Sequence, residues 1–340
     1  MKQPTTPSIY AGLDVGAHEI LAAKATCPDA RPRSFPNDPS GFRALAAFLT
    51  RGRGARTVRV CMEATGAYSA AAAAHLHALP GVEVMVANPR RVKAFMASRG
   101  TRAKTDAIDA LGIMEFARAG NFGPWQPPRA EVVAARELSR RTLELNTQLG
   151  RENNRLKQAL RLPGDNSAAV SSIRRCVEFL EGEIELLLAQ SSELIGADEG
   201  MAGDSGLIQS IPGFAARSAA KLVPEIAALP PGLAAGQWVA HAGIDPRTFQ
   251  SGSSIDRHRF ISKKGNRHIR AALYMPALVA VRRDPHVRAF YESLLARGKR
   301  KKVALVAVMR KLLVAIHAIL KTREPFDGAL FNPNAKPTSS

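Results

Sequence analysis

The chain has 340 residues, with 48 Lys and Arg against 29 Asp and Glu, a formal charge of +19 at pH 7. That length leaves ample chain for two or three domains, and the positive excess favours a polyanionic ligand, nucleic acid before an anionic membrane surface. No uninterrupted apolar stretch reaches the ~18 residues of a membrane span, no basic-then-apolar leader opens the chain, and Cys27, Cys61 and Cys176 form no close-spaced metal or disulfide pattern. The expectation is an intracellular, cytoplasmic protein, nucleoid-associated when active, with no membrane partner.

The first part alternates strand-like and helix-like runs. Ile9 to Leu13 reads as a buried strand ending at Asp14, Ile20 to Ala25 as its partner, and Gly41 to Thr50 as a helix. A second apolar strand, Val58 to Met62, ends at Glu63 before a Gly66 turn. A helix over Ala70 to Leu79 and a strand over Val82 to Val86 follow, and then a helix that Thr105 could cap. That last helix carries Asp106 and Asp109 three apart, on one face. A Gly- and Pro-rich segment from Gly120 to Pro128 closes this α/β domain, taken as residues 1–122.

Asp14 and Glu63 pose the same problem, because a carboxylate buried at the end of an apolar strand costs several kcal/mol unless it is paired. A bound cation removes that cost. Asp14, Glu63, Asp106 and Asp109 are therefore candidate ligands for divalent metal and candidate catalytic residues, since hard cations take oxygen ligands and can stabilise both oxygens of a phosphoryl displacement. The bland alternative is two strand ends and a helix first turn that the dipole favours.

Residues 129–197 read as a helical hairpin. In its second arm Ile173, Val177, Leu180, Ile184, Leu187 and Leu194 keep heptad spacing, with Ser191 at the one polar position. The first arm, with Leu138, Leu145, Leu149 and Leu156, is interrupted at Thr142 and Glu152, and Pro163 to Ser167 supplies the turn. An apolar seam in surplus favours oligomerisation over a plain spacer. Gly200 to Gly206 reads as a linker, and residues 205–326 as a mainly helical third domain with a tail at 327–340. Ile211-Pro212-Gly213 and the Ala-rich run after it resemble a helix-hairpin-helix, a backbone phosphate contact, although Ala215 stands where a second Gly is usual. A structural helix pair fits as well. Val303 to Leu320, which carries Arg310, Lys311 and His317, reads as a core helix.

Basic residues cluster in several places: Arg90, Arg91, Lys93, Arg99, Arg102 and Lys104 before the acidic helix; Lys263, Lys264, Arg267 and Arg270 after a Ser251-Gly252-Ser253-Ser254 loop; and Lys299, Arg300, Lys301 and Lys302 near the end. With little aromatic interleaving they are candidate phosphate contacts, or solvated faces. His258 and His268 flank the serine region as phosphate or structural contacts.

An order of Asp, Glu and Asp-x-x-Asp, a helical hairpin, and then Ser-Gly-Ser-Ser with a basic helix resembles the DEDD-type insertion-sequence transposases, the bridge-RNA-guided recombinases. The likeness runs through Gly12-Leu13-Asp14, Glu63-Ala64-Thr65-Gly66, Asn88-Pro89, Lys104-Thr105-Asp106 with Asp109, Ile211-Pro212-Gly213, Ala242-Gly243, Ser251-Gly252, Lys263-Lys264-Gly265 and Leu273 to Ala277. It implies an RNase H/RuvC-like N-terminal domain whose four acids bind Mg²⁺ and a C-terminal serine transposase domain. The nucleophile would be Ser251, with Ser253 and Ser254 as local alternatives, forming a 5′-phosphoserine link. It further implies a structured guide RNA pairing with target and donor DNA, and a homo-oligomer, a dimer or a tetramer, in which acids of one protomer meet the serine of another. A metal-dependent RuvC-like nuclease of junction-resolvase type, acting by water hydrolysis, is the competing reading; a binding scaffold with a decayed site is a third.

Overall fold

The computed structural model describes residues 8–25, 31–100, 105–251 and 255–331, and of residues 247–260 only the backbone. The chain divides into two compact units, Met1–Pro127 and Pro128–Ser340.

The first unit is built on a five-stranded mixed sheet of order β3-β2-β1-β4-β5. β1 (Ile9–Val15), β2 (Glu19–Lys24) and β3 (Arg33–Pro36) run antiparallel, whereas β4 (Val58–Glu63) and β5 (Val82–Ala87) run parallel to β1. Alternation along the strands divides their side chains between two cores. Ile9, Ala11, Leu13, Val58, Val60, Met62, Val82 and Val84 pack with α1 (Pro39–Thr50) and α2 (Ala67–His77). Cys61, Met85 and Ala87 lie on the opposite face, against α3 (Pro89–Ser98) and α4 (Asp106–Phe116). Gly12 makes that second layer possible, because a Cβ there would sit 2.2 Å from the Ala110 carbonyl oxygen and 2.3 Å from the Met114 nitrogen. No larger residue lets α4 lie this close to β1. After α4 a wide π-type turn, Ala117–Asn121, ends the layer, with Gly120 at φ 85°.

In the second unit α5 (Ala130–Ala159) and α6 (Ser167–Ala197) form the expected hairpin. Part of its seam is covered within the chain. Leu145, Leu180, Ile184 and Leu188 join one core with Leu222 and Val223 of α8 (Ala216–Ala227), and Ser191 is buried where its hydroxyl reaches the Ala220 carbonyl at 3.5 Å. That part of the seam finds its partner within the chain, whereas Ile173 and Val177 stand half-buried outside this core. The expected linker at Gly200 to Gly206 is instead helix α7 (Glu199–Gln209). Asp198 caps it by accepting from Met201 N at 2.8 Å and pairs with Arg129, while Met201 and Ile208, seven apart, are buried on its inner face. Tertiary packing outweighs three glycines' poor helix propensity.

Beyond α9 (Ala235–Ala242), β6 (Pro246–Ser251) and β7 (Ile255–Ile261) make a two-stranded hairpin, an addition to the mainly helical domain expected from the sequence. The unit is completed by α10 (Arg267–Arg283), α11 (Pro285–Ala296), α12 (Lys301–Thr322) and the short α13 (Gly328–Phe331). By length and a mean hydropathy of 2.1, α12 alone among the described residues could cross a membrane. Its Leu305, Val308, Leu312, Leu313 and Ile316 are buried in the common core, as expected of a core helix.

Candidate active site

Strand parity and helix direction bring the acids to one edge of one face. Asp14 follows Gly12 by two residues, so it shares the α4 side of β1; Glu63 follows Cys61 by two on β4 and shares it too. The register pairs Leu13 with Met62, which makes positions 14 and 63 the next step of the same parallel ladder. α4 runs antiparallel to β1. Its last turn, with Phe116 and Ala117, packs near Tyr10, and Ala110 and Met114 lie over Gly12, so its first turn points towards the strand ends. Thr105 caps that turn as expected, accepting from Ile108 N at 3.3 Å, and Asp106 and Asp109 sit at the positive end of the helix dipole.

Convergence on one edge stops short of a ligand cage. Among the described residues no group of three or more His, Cys, Asp or Glu side chains is gathered closely enough to hold a metal ion, and neither Asp14 nor Glu63 is free. The donors are all carboxylate oxygens, the set a hard divalent cation takes. Cys61 does not add to them, because burial, with the Glu63 carboxylate nearby, pushes its thiol up to about 12.

Ser251 is the last paired residue of β6, opposite Ile255. Gly252, Ser253 and Ser254 lie outside the described residues. The base of the hairpin is tied down on α9. Ser262 N and Oγ donate to Asp245 O and Oδ1 at 2.9 and 2.5 Å, Lys263 N to Gly243 O at 3.0 Å, and Asn266 N to His241 O at 2.7 Å. Gly265 passes so close that a Cβ would lie 2.0 Å from the His241 carbonyl oxygen. Lys263, at φ 51°, and Lys264 stand exposed on this fixed loop.

Other basic positions divide between surface and scaffold. Arg90, Lys93, Arg267, Lys299, Arg300, Lys301 and Lys302 are exposed. Arg91 is exposed as well, over the Phe116 ring at 5.6 Å. Arg270 instead donates Nη1 to the carbonyls of Ala242 and Gly265 at 2.8 and 3.1 Å, a structural clamp rather than an open phosphate contact. Arg102 and Lys104 fall outside the described residues, as does the His258 side chain. Burial lowers the pKa of His268, whose Nδ1 has no hydrogen-bond partner among the described residues, which suits a packed imidazole. Gly213, in the expected helix-hairpin-helix turn, faces inward: its Cβ would meet Pro276 O at 2.5 Å. Internal packing thus accounts for that glycine, and the structural helix pair is the better description.

One network escaped the sequence reading. Glu225, 1% exposed on α8, accepts from Arg140 of α5 at 2.6 and 3.2 Å and from Nδ2 of Asn266, the N-cap of α10, at 2.6 Å. A lone acid within Leu222-Val223-Pro224-Glu225-Ile226 was the available signal. Burial pushes Glu225 up, but the hydrogen bonds from Arg140 and Asn266 and the positive charge of Arg140 outweigh it and leave the carboxyl below its ordinary value. Its contribution to stability is therefore complete above the usual carboxylate range and is lost as pH falls through the lowered folded value. Glu225→Ala should cost about 3–5 kcal/mol by removing the buried partner of Arg140, which keeps the exposed Glu137 at 3.5 Å, and Glu225→Gln should flatten the acid limb of a Tm-against-pH curve.

Comparison with known proteins decides the family. A model described as a transposase of the DEDD IS110 type matches residues 11–162, and one described as "Transposase IS116/IS110/IS902 family" matches residues 205–292. The chain belongs to the IS110 transposase family. The pilin gene-inverting protein of Moraxella lacunata is 29% identical over 324 residues, 94% of this chain and 97% of its own, and that of Moraxella bovis is 28% identical over the same length. A protein of insertion element IS900 from Mycobacterium paratuberculosis is 25% identical over 72% of this chain and 49% of its own. This IS110-family enzyme is accordingly a DNA transposase or recombinase. The DEDD match carries divalent-metal dependence with it.

Proposed function

We propose that this transposase cuts and rejoins DNA through Ser251, with Asp14, Glu63, Asp106 and Asp109 holding divalent metal, normally Mg²⁺, on an RNase H/RuvC-type sheet. The observation that carries the reading is the placement of Asp14 and Glu63 at adjacent ladder positions on the one face towards which the Asp106–Asp109 turn points. A sheet with three antiparallel strands continued by two parallel ones supports the fold assignment. When bound, the metal would supply Lewis-acid stabilisation of charge at phosphorus.

The protein's part is written on its own atoms. Ser251 Oγ loses its proton and bonds to phosphorus, the P–O3′ bond breaks, and the departing O3′ takes a proton, leaving a 5′-phosphoserine. A DNA hydroxyl then attacks the same phosphorus and releases the serine, so the phosphodiester count is conserved and no ATP is required. Ser251, at the closing pair of a hairpin fixed at its base, is a preorganised position for such a nucleophile. A guide RNA of the element pairs with target and donor DNA, while the protein reads backbone and shape; the +19 charge supports a polyanionic partner of this kind. Homo-oligomeric assembly belongs to the same reading.

The decisive assay is a denaturing gel for protein-bound DNA during strand exchange, since the hydrolytic nuclease gives free ends alone. Affinity for duplex DNA should also fall by about 0.9 log unit per log of salt for each phosphate neutralised. A flat salt titration would remove the basic surface from the binding account.

A further inference from the structure

Tyr68 is 53% exposed, the one large apolar side chain so exposed among the described residues of the first unit. A single exposed ring needs no explanation by itself. Its setting does. Tyr68 is the second residue of α2, which starts beyond the Glu63-Ala64-Thr65-Gly66 turn, so it stands at the sheet edge where β1 and β4 both end.

The backbone around it is held from both sides. Asn37 Nδ2 donates to Tyr68 O at 3.2 Å and to Gly16 O at 2.8 Å, two residues past Asp14, while Asn37 N donates to His18 O at 2.8 Å. On the other side the buried Ser69 hydroxyl accepts from Thr65 N and donates to Gly66 O, both at 3.2 Å. Gly66, at φ 72°, makes the turn possible. Two hydrogen-bond sets thus lock one exposed ring to the loops that follow Asp14 and Glu63. Ser69 and five alanines follow it before His75, and the His75 and His77 rings further along pack on Phe42 and Trp125, so no other ring stands on the first two turns of α2.

We infer that Tyr68 is a stacking platform for an unpaired DNA base next to the phosphate processed at the Asp14–Glu63 edge. The inference rests on the proposed DNA-processing role of that edge. Every base presents a π-face, so such a contact positions a strand without reading its sequence. A ring whose backbone is already fixed loses little further freedom on binding.

The test uses the full chain in EDTA, with single-stranded DNA oligonucleotides carrying 5-iododeoxyuridine at successive positions. Irradiation should crosslink one or two adjacent positions to a peptide containing Tyr68. Tyr68→Ala should weaken binding about tenfold and abolish that crosslink, whereas Tyr68→Phe and Tyr68→Trp should retain binding, because the face and not the hydroxyl acts. Alanine suits this helix, so an unchanged melting temperature is expected and confirms that the variant folds. Wild-type affinity in Tyr68→Ala, or crosslinks that map only to the basic segments at 90–93 and 299–302, overturns the inference. Binding and crosslinking in EDTA are independent of the cleavage assay on the acid variants, so the two readings fail separately. Normal cleavage by the acid variants with a persistent Tyr68 crosslink sinks the metal site alone; dead acid variants with normal binding by Tyr68→Ala sink the platform alone.

Discussion

Replacing Asp14, Glu63, Asp106 or Asp109 with alanine, one at a time, is expected to lower divalent-metal-dependent DNA cleavage by about 10³-fold or more, the loss typical of removing a group that stabilises transition-state charge. The effect should be alike at all four because they serve one site, although they come from two strands and a helix. Binding of nucleic acid should survive, since the acids contribute no positive charge. Asp106 and Asp109 are the informative pair. Each would stabilise the α4 first turn through the dipole even with no catalytic role, by about 0.3–1 kcal/mol, so a purely structural function predicts a slightly lower Tm and near-normal cleavage. Calorimetric titration with Mg²⁺ offers a second readout, in which each variant should lose the metal-binding heat seen with wild type.

Ser251→Ala is expected to remove recombinant product completely while leaving assembly on DNA intact. In the wild type, DNA with a nick or mismatch at the exchange point should stall the reaction and leave a covalent protein–DNA adduct that survives denaturant. Proteolysis and mass spectrometry should place the link on the peptide with Ser251. A link on Ser253 or Ser254 would move the nucleophile by two or three residues in the sequence and keep the mechanism. Active protein that yields only free ends, with no adduct under any stalling condition, would transfer the chemistry to water and favour the nuclease.

The first unit was largely legible in the sequence because its signals are local. Apolar runs that end on Asp14 and Glu63, and Thr105 placed to cap Asp106, report strand ends and a helix start wherever they occur. β3 was missed: Arg33–Pro36 is a four-residue edge strand with only Phe35 packed on the core, so it carries too short an alternation to read. In the second unit two departures share a cause, which is that long-range packing overrode local propensity. Gly200 to Gly206 signals a linker, yet Asp198, Arg129 and the buried Met201 and Ile208 make it helix. Heptads on α6 signal a partner helix, and only the fold shows that α5 and α8 are that partner. β6 and β7 carry Arg, Gln and His where strands usually show apolar alternation, so nothing local marked them.

The fixed base of the β6–β7 hairpin imposes a rule on length change. With Asp245, Gly243 and His241 gripping the segment from Ser262 to Asn266, slack introduced in either strand cannot escape at the open end and must be taken up in a bulge or travel away from the base. One residue added to β6 before position 251 would invert the side of the ribbon on which that residue stands, whereas two would restore it about 7 Å farther out. The ribbon already takes up one odd residue near its base, where β7 has one residue more than β6 between the Pro246–Ile261 and Arg247–Arg259 pairs, so relatives should tolerate an odd insertion where a bulge absorbs it and otherwise strand insertions in even steps.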